Sequence, residues 1–300
     1  MLAVNRVKAW KRPVGALVAL ILMISVTGCN QARTESIRHM NQGVESFQHG
    51  NLSKAISHLE DAVKADPVND QAWYYMGLIQ YQRMNAPEKG ATNLRKAIEI
   101  NGENHEYHYH LGNLLSREKD WVGAINAFEK ALSKKRDHAE SHYRLARALE
   151  MEGKFDRAQE AYGDAIRNRP RFAEAYNALG NLYVRFEKYP QAIQVFKNAS
   201  ENIPREPINY NDLGLVYARQ NRNAEAIQQF KKALEIKPSY ASAVFNLGMA
   251  YANNGEDKQA LKYLKAYLSR RSAADDPVRV GTAQAMATRL EAKVSGGAPQ

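Results

Sequence analysis

The stretch that decides the fold is residues 173–206, AEAYNALGNLYVRFEKYPQAIQVFKNASENIPRE. Apolar residues recur in it at spacings of three and four, which is the period of an amphipathic α-helix. They form two such segments, one around Leu179 and one around Phe196. Pro204 ends the second segment, because proline lacks an amide donor and clashes with the preceding helical turn. The stretch therefore predicts a hairpin of two helices.

The same pattern recurs along most of the chain. A small residue returns at spacings of 34 or 35 residues, at Gly43, Gly77, Gly112, Ala146, Gly180, Gly214 and Gly248. A large residue follows each one 16 residues later, or 17 residues later in the case of Gly77, at Leu59, Leu94, Phe128, Tyr162, Phe196, Phe230 and Leu264. Small residues at fixed places let two helix backbones approach closely, and the large residue fills the gap beside them. The periodicity predicts stacked helical hairpins.

The residue types at these offsets resemble the tetratricopeptide repeat, with an aromatic residue, Leu-Gly, Tyr, Ala, Phe, Ala and Pro in order. The resemblance implies an all-α, right-handed superhelical solenoid of seven hairpins. We expect the hairpins at residues 36–69, 70–104, 105–138, 139–172, 173–206, 207–240 and 241–274. Residues 275–294 are expected to form a C-terminal capping helix, followed by a disordered tail at 295–300. The first repeat is the least regular, with His39 and Gln42 at positions that are normally apolar.

The N-terminus has the three parts of an export signal. Basic residues lie between Arg6 and Arg12, an apolar run extends over residues 14–26, and the small residues Thr27 and Gly28 follow. Thirteen residues of helix would be about 20 Å long, short of the roughly 30 Å that a bilayer core requires. Residues 1–28 are therefore predicted to be a signal peptide.

Cys29 is the single cysteine of the chain, and it follows Val26-Thr27-Gly28 directly. This order resembles the lipobox of bacterial lipoproteins. The resemblance implies cleavage between Gly28 and Cys29, acylation of Cys29, and a short linker over residues 29–35. It places the protein in the bacterial cell envelope, and Asn30 favours the outer membrane, facing the periplasm. An incidental cysteine in an ordinary signal, or an uncleaved anchor, remains the alternative.

Charge and composition favour no other class of function. The formal charge is +10, but four uncompensated basic residues lie in residues 1–28, and the other charges are interspersed. No nucleic-acid partner is therefore expected. The sequence contains no phosphate-binding glycine loop and no nucleophile motif, so we expect no enzyme activity, no cofactor and no small-molecule substrate.

Residues 104–110, NHEYHYH, contain three histidines and could indicate a metal site. His108 falls at the repeat position that Trp73 and Tyr176 occupy, and His142 repeats it one unit later, so both are expected to pack between helices. His138 and His142 have the spacing of a shared metal, but a unit boundary separates them. No metal ligand is therefore expected, and a periplasmic metal-binding protein or enzyme is the disfavoured alternative.

In this fold the first helices of the repeats line a concave groove. The residues expected to line it are Tyr74, Tyr109, Asn113, Arg117, Tyr143, Arg147, Asn177, Asn181, Arg185, Asn211 and Arg219. Tyrosine and arginine anchor many interfaces, and asparagine amides can bond the backbone of an extended peptide. Tyrosine at the first of these positions is also frequent in the family for packing reasons.

The predicted function is a membrane-anchored scaffold that binds envelope proteins and helps to assemble or position an envelope complex. The architecture is similar to that of repeat-containing lipoproteins that assist type IV pilus and secretin assembly. An adaptor for a peptidoglycan hydrolase or a periplasmic protease is the alternative.

Overall fold

The computed structural model describes residues 14–270 and 276–296, with side chains from residue 30 onward. The described chain is all-α and divides into two compact units, Met1–Arg136 and Asp137–Gln300. Each unit is built of consecutive helical hairpins.

The first unit contains three hairpins. Its helices are α1 Val14–Gln48, α2 Leu52–Ala65, α3 Asp70–Gln82, α4 Pro87–Ile100, α5 His105–Arg117 and α6 Trp121–Lys134. Within it, α1 packs on α2, α3 on α4 and α5 on α6, and α2 and α4 each contact the helix that follows.

The second unit contains four hairpins and one further helix. Its helices are α7 Ala139–Met151, α8 Phe155–Asn168, α9 Ala173–Arg185, α10 Tyr189–Asn202, α11 Pro207–Arg219, α12 Asn223–Ile236, α13 Ala241–Asn253, α14 Asp257–Ser269 and α15 Pro277–Val294. The predicted fold class, all-α with consecutive hairpins, is confirmed.

Inside each hairpin, the small residue of the first helix faces the large residue of the second helix. Phe196 is 1% exposed and its ring lies directly on the backbone of Gly180. A Cβ atom at Gly180 would come within 2.3 Å of Phe196 Cζ. Gly112 and Phe128 repeat the arrangement in the first unit. Because this contact leaves no room for a methyl group, the repeat spacing is also a packing constraint.

The turn inside every hairpin contains one residue with left-handed backbone. The seven residues are Gly50, Asn85, Lys119, Gly153, Glu187, Asn221 and Gly255, with φ between +51° and +79°. The sequence indicates this turn only at its three glycines, because glycine adopts positive φ without steric cost. In the other four hairpins the helices on either side impose the same conformation on a residue that disfavours it.

Helix α15 covers the last hairpin. Asp276 caps its N-terminus by accepting a hydrogen bond from Val278 N at 3.0 Å, and α15 packs on α14. Ala283, Ala287 and Leu290 form its buried stripe. The helix ends at Val294, where the capping helix is expected to end, and residues 271–275 and 297–300 lie outside the described part of the chain.

The N-terminal segment differs from the expectation of a linker at residues 29–35. Helix α1 runs without a break from Val14 to Gln48, so the linker residues are helical. The reason is local, because this segment contains no proline and only isolated glycines. Within residues 30–270 and 276–296, no helix is long and apolar enough to cross a membrane.

Candidate protein-binding face

The residues expected to line a groove come from the first helix of each hairpin, and the structure gives them different environments. We call this surface the first-helix face and describe it separately in each unit. In the first unit it is formed by α3 and α5, and in the second by α7, α9, α11 and α13.

Tyr74 belongs to the core of the first unit. It is 9% exposed, and its ring lies 4.8 Å from that of Tyr107 and 5.6 Å from that of His110. Burial raises the pKa of its hydroxyl, with a smaller effect from Glu106. The expectation that Tyr74 is available to a partner is therefore corrected, and its role is packing.

The other first-unit candidates lie nearer the surface. Tyr109 and Asn113 are half-buried, and the Tyr109 ring lies 6.1 Å from that of Phe128. Arg117 is exposed at its head, but it donates from Nη1 to the backbone oxygen of Tyr81 at 2.9 Å and from Nη2 to Asn85 Oδ1 at 3.1 Å. Arg117 thus joins its own hairpin to the turn of the preceding one.

Arg185 plays the same part in the second unit. It donates from Nη1 to Glu150 Oε1 at 3.3 Å, and its guanidinium lies 4.8 Å from the ring centre of Phe155. The arginines of this repeat position were expected to contact a partner. In the third and fifth repeats they also contact the preceding hairpin, and all three arginines, Arg219 among them, are exposed.

In the second unit, α7 and α9 present mixed surfaces. Tyr143 is half-buried, 5.1 Å from the Phe172 ring, and its hydrogen bond raises the pKa of the exposed Arg147 guanidinium. Asn181 is exposed. Asn177 is half-buried, and its Oδ1 is buried without a hydrogen-bond partner among the described residues. A buried amide oxygen of this kind can accept a hydrogen bond from a ligand.

On α11 and α13 the side chains of the face form a short series of hydrogen bonds, in which two asparagine amides lead to a carboxylate. Asn246 Nδ2 donates to Asn211 Oδ1 at 2.9 Å, and Asn211 Nδ2 donates to Asp212 Oδ1 at 3.1 Å. Asn211 is only 4% exposed, so it acts as a link within the face and not as a contact residue. Asn211 was expected to contact a partner, and this expectation is corrected. The group on this part of the face that can bind a partner is the carboxylate of Asp212.

Asp212 is a half-buried acid on this face. Burial raises the pKa of its carboxyl to about 6, and the hydrogen bond from Asn211 offsets only part of that effect. Within residues 30–270 and 276–296 no cation forms an ion pair with it. Arg279 of α15 donates to Ser242 Oγ at 3.1 Å, and its guanidinium lies 5.4 Å from the centre of the Phe245 ring.

The sequence did not single out Asp212, Asn246 or Arg279. Asp212 and Asn246 lie two residues before Gly214 and Gly248, a repeat position that Tyr75 fills in the second repeat. Polar side chains at this position in two consecutive repeats could have indicated that the two residues lie close together on the face. Arg279 could not have been found, because it comes from the helix outside the repeat.

Two histidines of the 104–110 run, His108 and His110, contact neighbouring parts of the first unit. His108 is 9% exposed and shares a hydrogen bond with the carbonyl oxygen of Gly102 at 3.0 Å. His110 Nδ1 lies 3.3 Å from Tyr81 Oη. His138 Nδ1 lies 2.7 Å from Ser141 Oγ. The side chain of Cys29 and the predicted cleavage site lie outside the residues whose side chains are described.

Comparison with known families identifies the repeat. Models described as tetratricopeptide repeat or TPR repeat match residues 40–88, 115–162, 143–207, 214–255 and 241–273, which together span about two thirds of the chain. The chain is a tetratricopeptide-repeat protein. None of the curated proteins matches it in sequence. Like this family in general, it is a protein–protein interaction scaffold, and the family is generally not enzymatic.

Solved tetratricopeptide-repeat structures have the same fold. The crystal structure of MamA protein is 26% identical over 56% of this chain and 91% of its own, with a TM-score of 0.52. YrrB, described as a TPR protein with an unusual peptide-binding site, is 23% identical over 65% of this chain and 99% of its own, at 0.52. The C-terminal part of a repeat protein from Cytophaga hutchinsonii is 14% identical over 81% of this chain and 98% of its own, at 0.68.

Proposed function

We propose that this protein is a lipid-anchored scaffold of the bacterial cell envelope, which binds an extended segment of an envelope protein on the first-helix face of its second unit. The sequence order Val26-Thr27-Gly28-Cys29 after an apolar run supports the anchor. Assembly or positioning of an envelope complex, of which pilus or secretin assembly is one form, is the role that this combination favours.

Two polar groups on that face support the binding proposal, because each lacks a partner that would offset its burial. Asp212 is a half-buried carboxylate without an ion-pair partner in the described chain, and Asn177 Oδ1 is a buried acceptor without a donor. Each costs free energy in the isolated protein. Asn177 Oδ1 has lost water without gaining a hydrogen bond, and the carboxylate of Asp212 is desolvated with only the Asn211 amide to offset that loss. A bound segment that supplies a donor to each recovers this cost.

The chemistry of the two groups indicates the character of the partner. A backbone N–H of an extended chain can donate to Asn177 Oδ1, and a lysine or arginine side chain can pair with Asp212. Phe245 and the half-buried Tyr143 supply apolar surface on the helices to either side. The partner segment is therefore extended and basic, with at least one apolar side chain.

The test is site-specific photo-crosslinking in intact cells with the full-length protein. A crosslinking residue at the exposed Asn181, on α9, should capture a discrete envelope protein. The matched control is the exposed Lys197 on α10, the second helix of the same hairpin. Asp212→Asn should lower the captured yield about tenfold, the loss expected for one charge-assisted hydrogen bond.

The identity of the captured protein decides between the possible roles. Pilus or secretin proteins support assembly of that machine, and a peptidoglycan hydrolase or protease supports the adaptor role. Equal capture from positions 181 and 197, or a yield unchanged in a folded Asp212→Asn variant, would show that the first-helix face is not the binding surface. Helical circular dichroism of the variant separates lost binding from lost folding.

A further inference from the structure

The first hairpin brings together two histidines and an aspartate that the packing of the repeats does not require. One ring nitrogen each of His39 and His58 and one carboxylate oxygen of Asp61 lie within 4.8 Å of one another. His39 is on α1, and the other two are on α2. All three side chains are partly exposed, although Nδ1 of His39 is itself buried.

The helices account for this placement. His58 and Asp61 are three residues apart on α2, so they project from the same face of that helix. His39 faces them from α1, and its ring stacks on that of His58 with the centroids 6.2 Å apart. The packing of the hairpin therefore fixes the group before any ion binds.

His39 is also unusual among residues at its repeat position. In the second repeat Trp73 Nε1 donates to the carbonyl oxygen of Pro67 at 3.0 Å, and in the third His108 Nε2 lies 3.0 Å from that of Gly102. Each acceptor lies six residues earlier, in the turn before the helix. The residue six before His39 is Arg33, which lies inside α1, so its carbonyl belongs to a helix and not to a turn.

As a result one nitrogen of His39 has no partner. Its Nδ1 is buried and makes no hydrogen bond with the described residues. Its Nε2 lies 3.1 Å from Arg38 Nη2 and 3.8 Å from Glu35 Oε1. Arg38 can only donate to Nε2, so metal binding at Nδ1 requires Arg38 to release Nε2 and the ring proton to move there. In that tautomer Nδ1 has a lone pair, and a metal ion bound to it removes the cost of leaving this buried nitrogen unpaired.

We propose that His39, His58 and Asp61 bind one divalent transition-metal ion, with zinc the best match. Two imidazoles and one carboxylate are a ligand set that zinc accepts, with the fourth position left to water or to a side chain of a partner. Glu35 beside Nε2 of His39 suits the outer carboxylate that commonly orients a metal-bound imidazole.

The geometry requires a modest closure. Zinc bonds of 2.0–2.1 Å place tetrahedral ligand atoms about 3.3 Å apart, so the three ligand atoms must close by at most about 1.5 Å. Asp61 contributes by releasing Lys64, whose Nζ lies 3.3 Å from its Oδ1. The pair is exposed enough that its loss costs little.

The fourth repeat supplies an internal comparison. His142 and Asp164 occupy the same repeat positions as His39 and Asp61, and His142 Nδ1 lies 3.9 Å from Asp164 Oδ2. The position of His58 is taken there by the buried Ala161. The histidine–aspartate pair thus occurs without the third ligand, and the fourth repeat is a matched control for the first.

The experiment uses the full chain, purified in detergent and freed of metal by chelation. Titration with zinc chloride, followed by calorimetry, should show one site per chain. Cobalt(II) should give the visible absorption of a tetrahedral site, and zinc should displace it. His58→Ala and Asp61→Asn should each weaken zinc binding at least tenfold, whereas His142→Ala should leave it unchanged.

Three results would overturn the proposal. They are absence of saturable zinc binding to the wild-type chain at micromolar concentrations, unchanged affinity in His58→Ala, and an equal loss in His142→Ala or in the pair His105→Ala with His108→Ala. Since His58 is partly exposed, its alanine variant should fold, and His58→Gln provides a second variant of similar size. Metal binding is independent of capture at the first-helix face, so either proposal can fail alone.

Discussion

At the scale of single residues, some of the residues predicted to line the first-helix face pack inside the protein instead of facing solvent. Tyr74 and Asn211 were expected at a partner interface, yet the first is in the core and the second is a link in an amide chain. Sequence position gives the helix face that a residue occupies, but not the depth of its side chain. That depth depends on neighbours in the next repeat, such as Tyr107 against Tyr74.

Asp212 leads to a prediction on pH. Its pKa is raised in the folded state, from 3.8 to about 6, so its contribution to stability is fully present below about pH 4 and is lost as the pH rises through 6. Asp212→Asn should therefore raise the free energy of unfolding above pH 7, by up to about 3 kcal/mol, since each pKa unit is worth about 1.4 kcal/mol. The gain should shrink towards zero near pH 4.

Urea denaturation at pH 4, 5.5 and 7.5, followed by circular dichroism, measures this dependence. Asp137→Asn is the control, because its carboxyl is exposed, and it should leave the midpoint unchanged at every pH. A gain for Asp212→Asn that is the same at all three values would show that the carboxylate is not held uncompensated in the folded protein.

At the scale of elements, the repeat period predicted nearly every helix of the described chain. The hairpins follow because the small and large markers, such as Gly180 and Phe196, are the contacts that hold two helices together. The turn conformation could be predicted only where glycine marks it. The merging of the linker with α1 could not be predicted from the repeat, because the linker precedes the repeated pattern.

The turns provide a prediction with its own control. Glu187 and Gly153 occupy the same turn position, with φ of 56° and 78°. A non-glycine residue in left-handed conformation is strained by about 1 kcal/mol or more, so Glu187→Gly should raise the free energy of unfolding, after the added entropy of the unfolded glycine, by about 0.5 kcal/mol. Gly153→Ala introduces the same strain, which the lower entropy of the unfolded chain again offsets in part, and should lower it by about 0.5 kcal/mol.

Both variants can be measured by urea denaturation under one set of conditions. Neither changes a packing contact, because a Cβ at Gly153 would meet nothing within 4 Å and Glu187 is exposed. Shifts of the same sign in the two variants would contradict the assignment of strain to this turn position.

At the scale of the whole molecule, the chain combines a repeat body with an N-terminal segment of different character. Within each unit the buried clusters join neighbouring hairpins, as where residues 40–79 form one cluster and residues 74–114 the next. Because such repeats interact mainly with their neighbours, a change in the first hairpin acts locally. The His58 variants and the Asp212 variants can therefore be interpreted separately.

The last prediction concerns where this body is held. If Cys29 is acylated, two or more acyl chains hold the protein stably, since each buried CH₂ contributes about 0.8 kcal/mol and one chain alone binds marginally. In fractionated cells the wild-type protein should stay with the membranes through a high-salt wash and should carry labelled fatty acid. Cys29→Ala should lose the label and move to the soluble fraction. Retention of Cys29→Ala on membranes at high salt would show that another feature of the N-terminus anchors the chain, because salt removes electrostatic attachment but not a lipid or an uncleaved apolar helix.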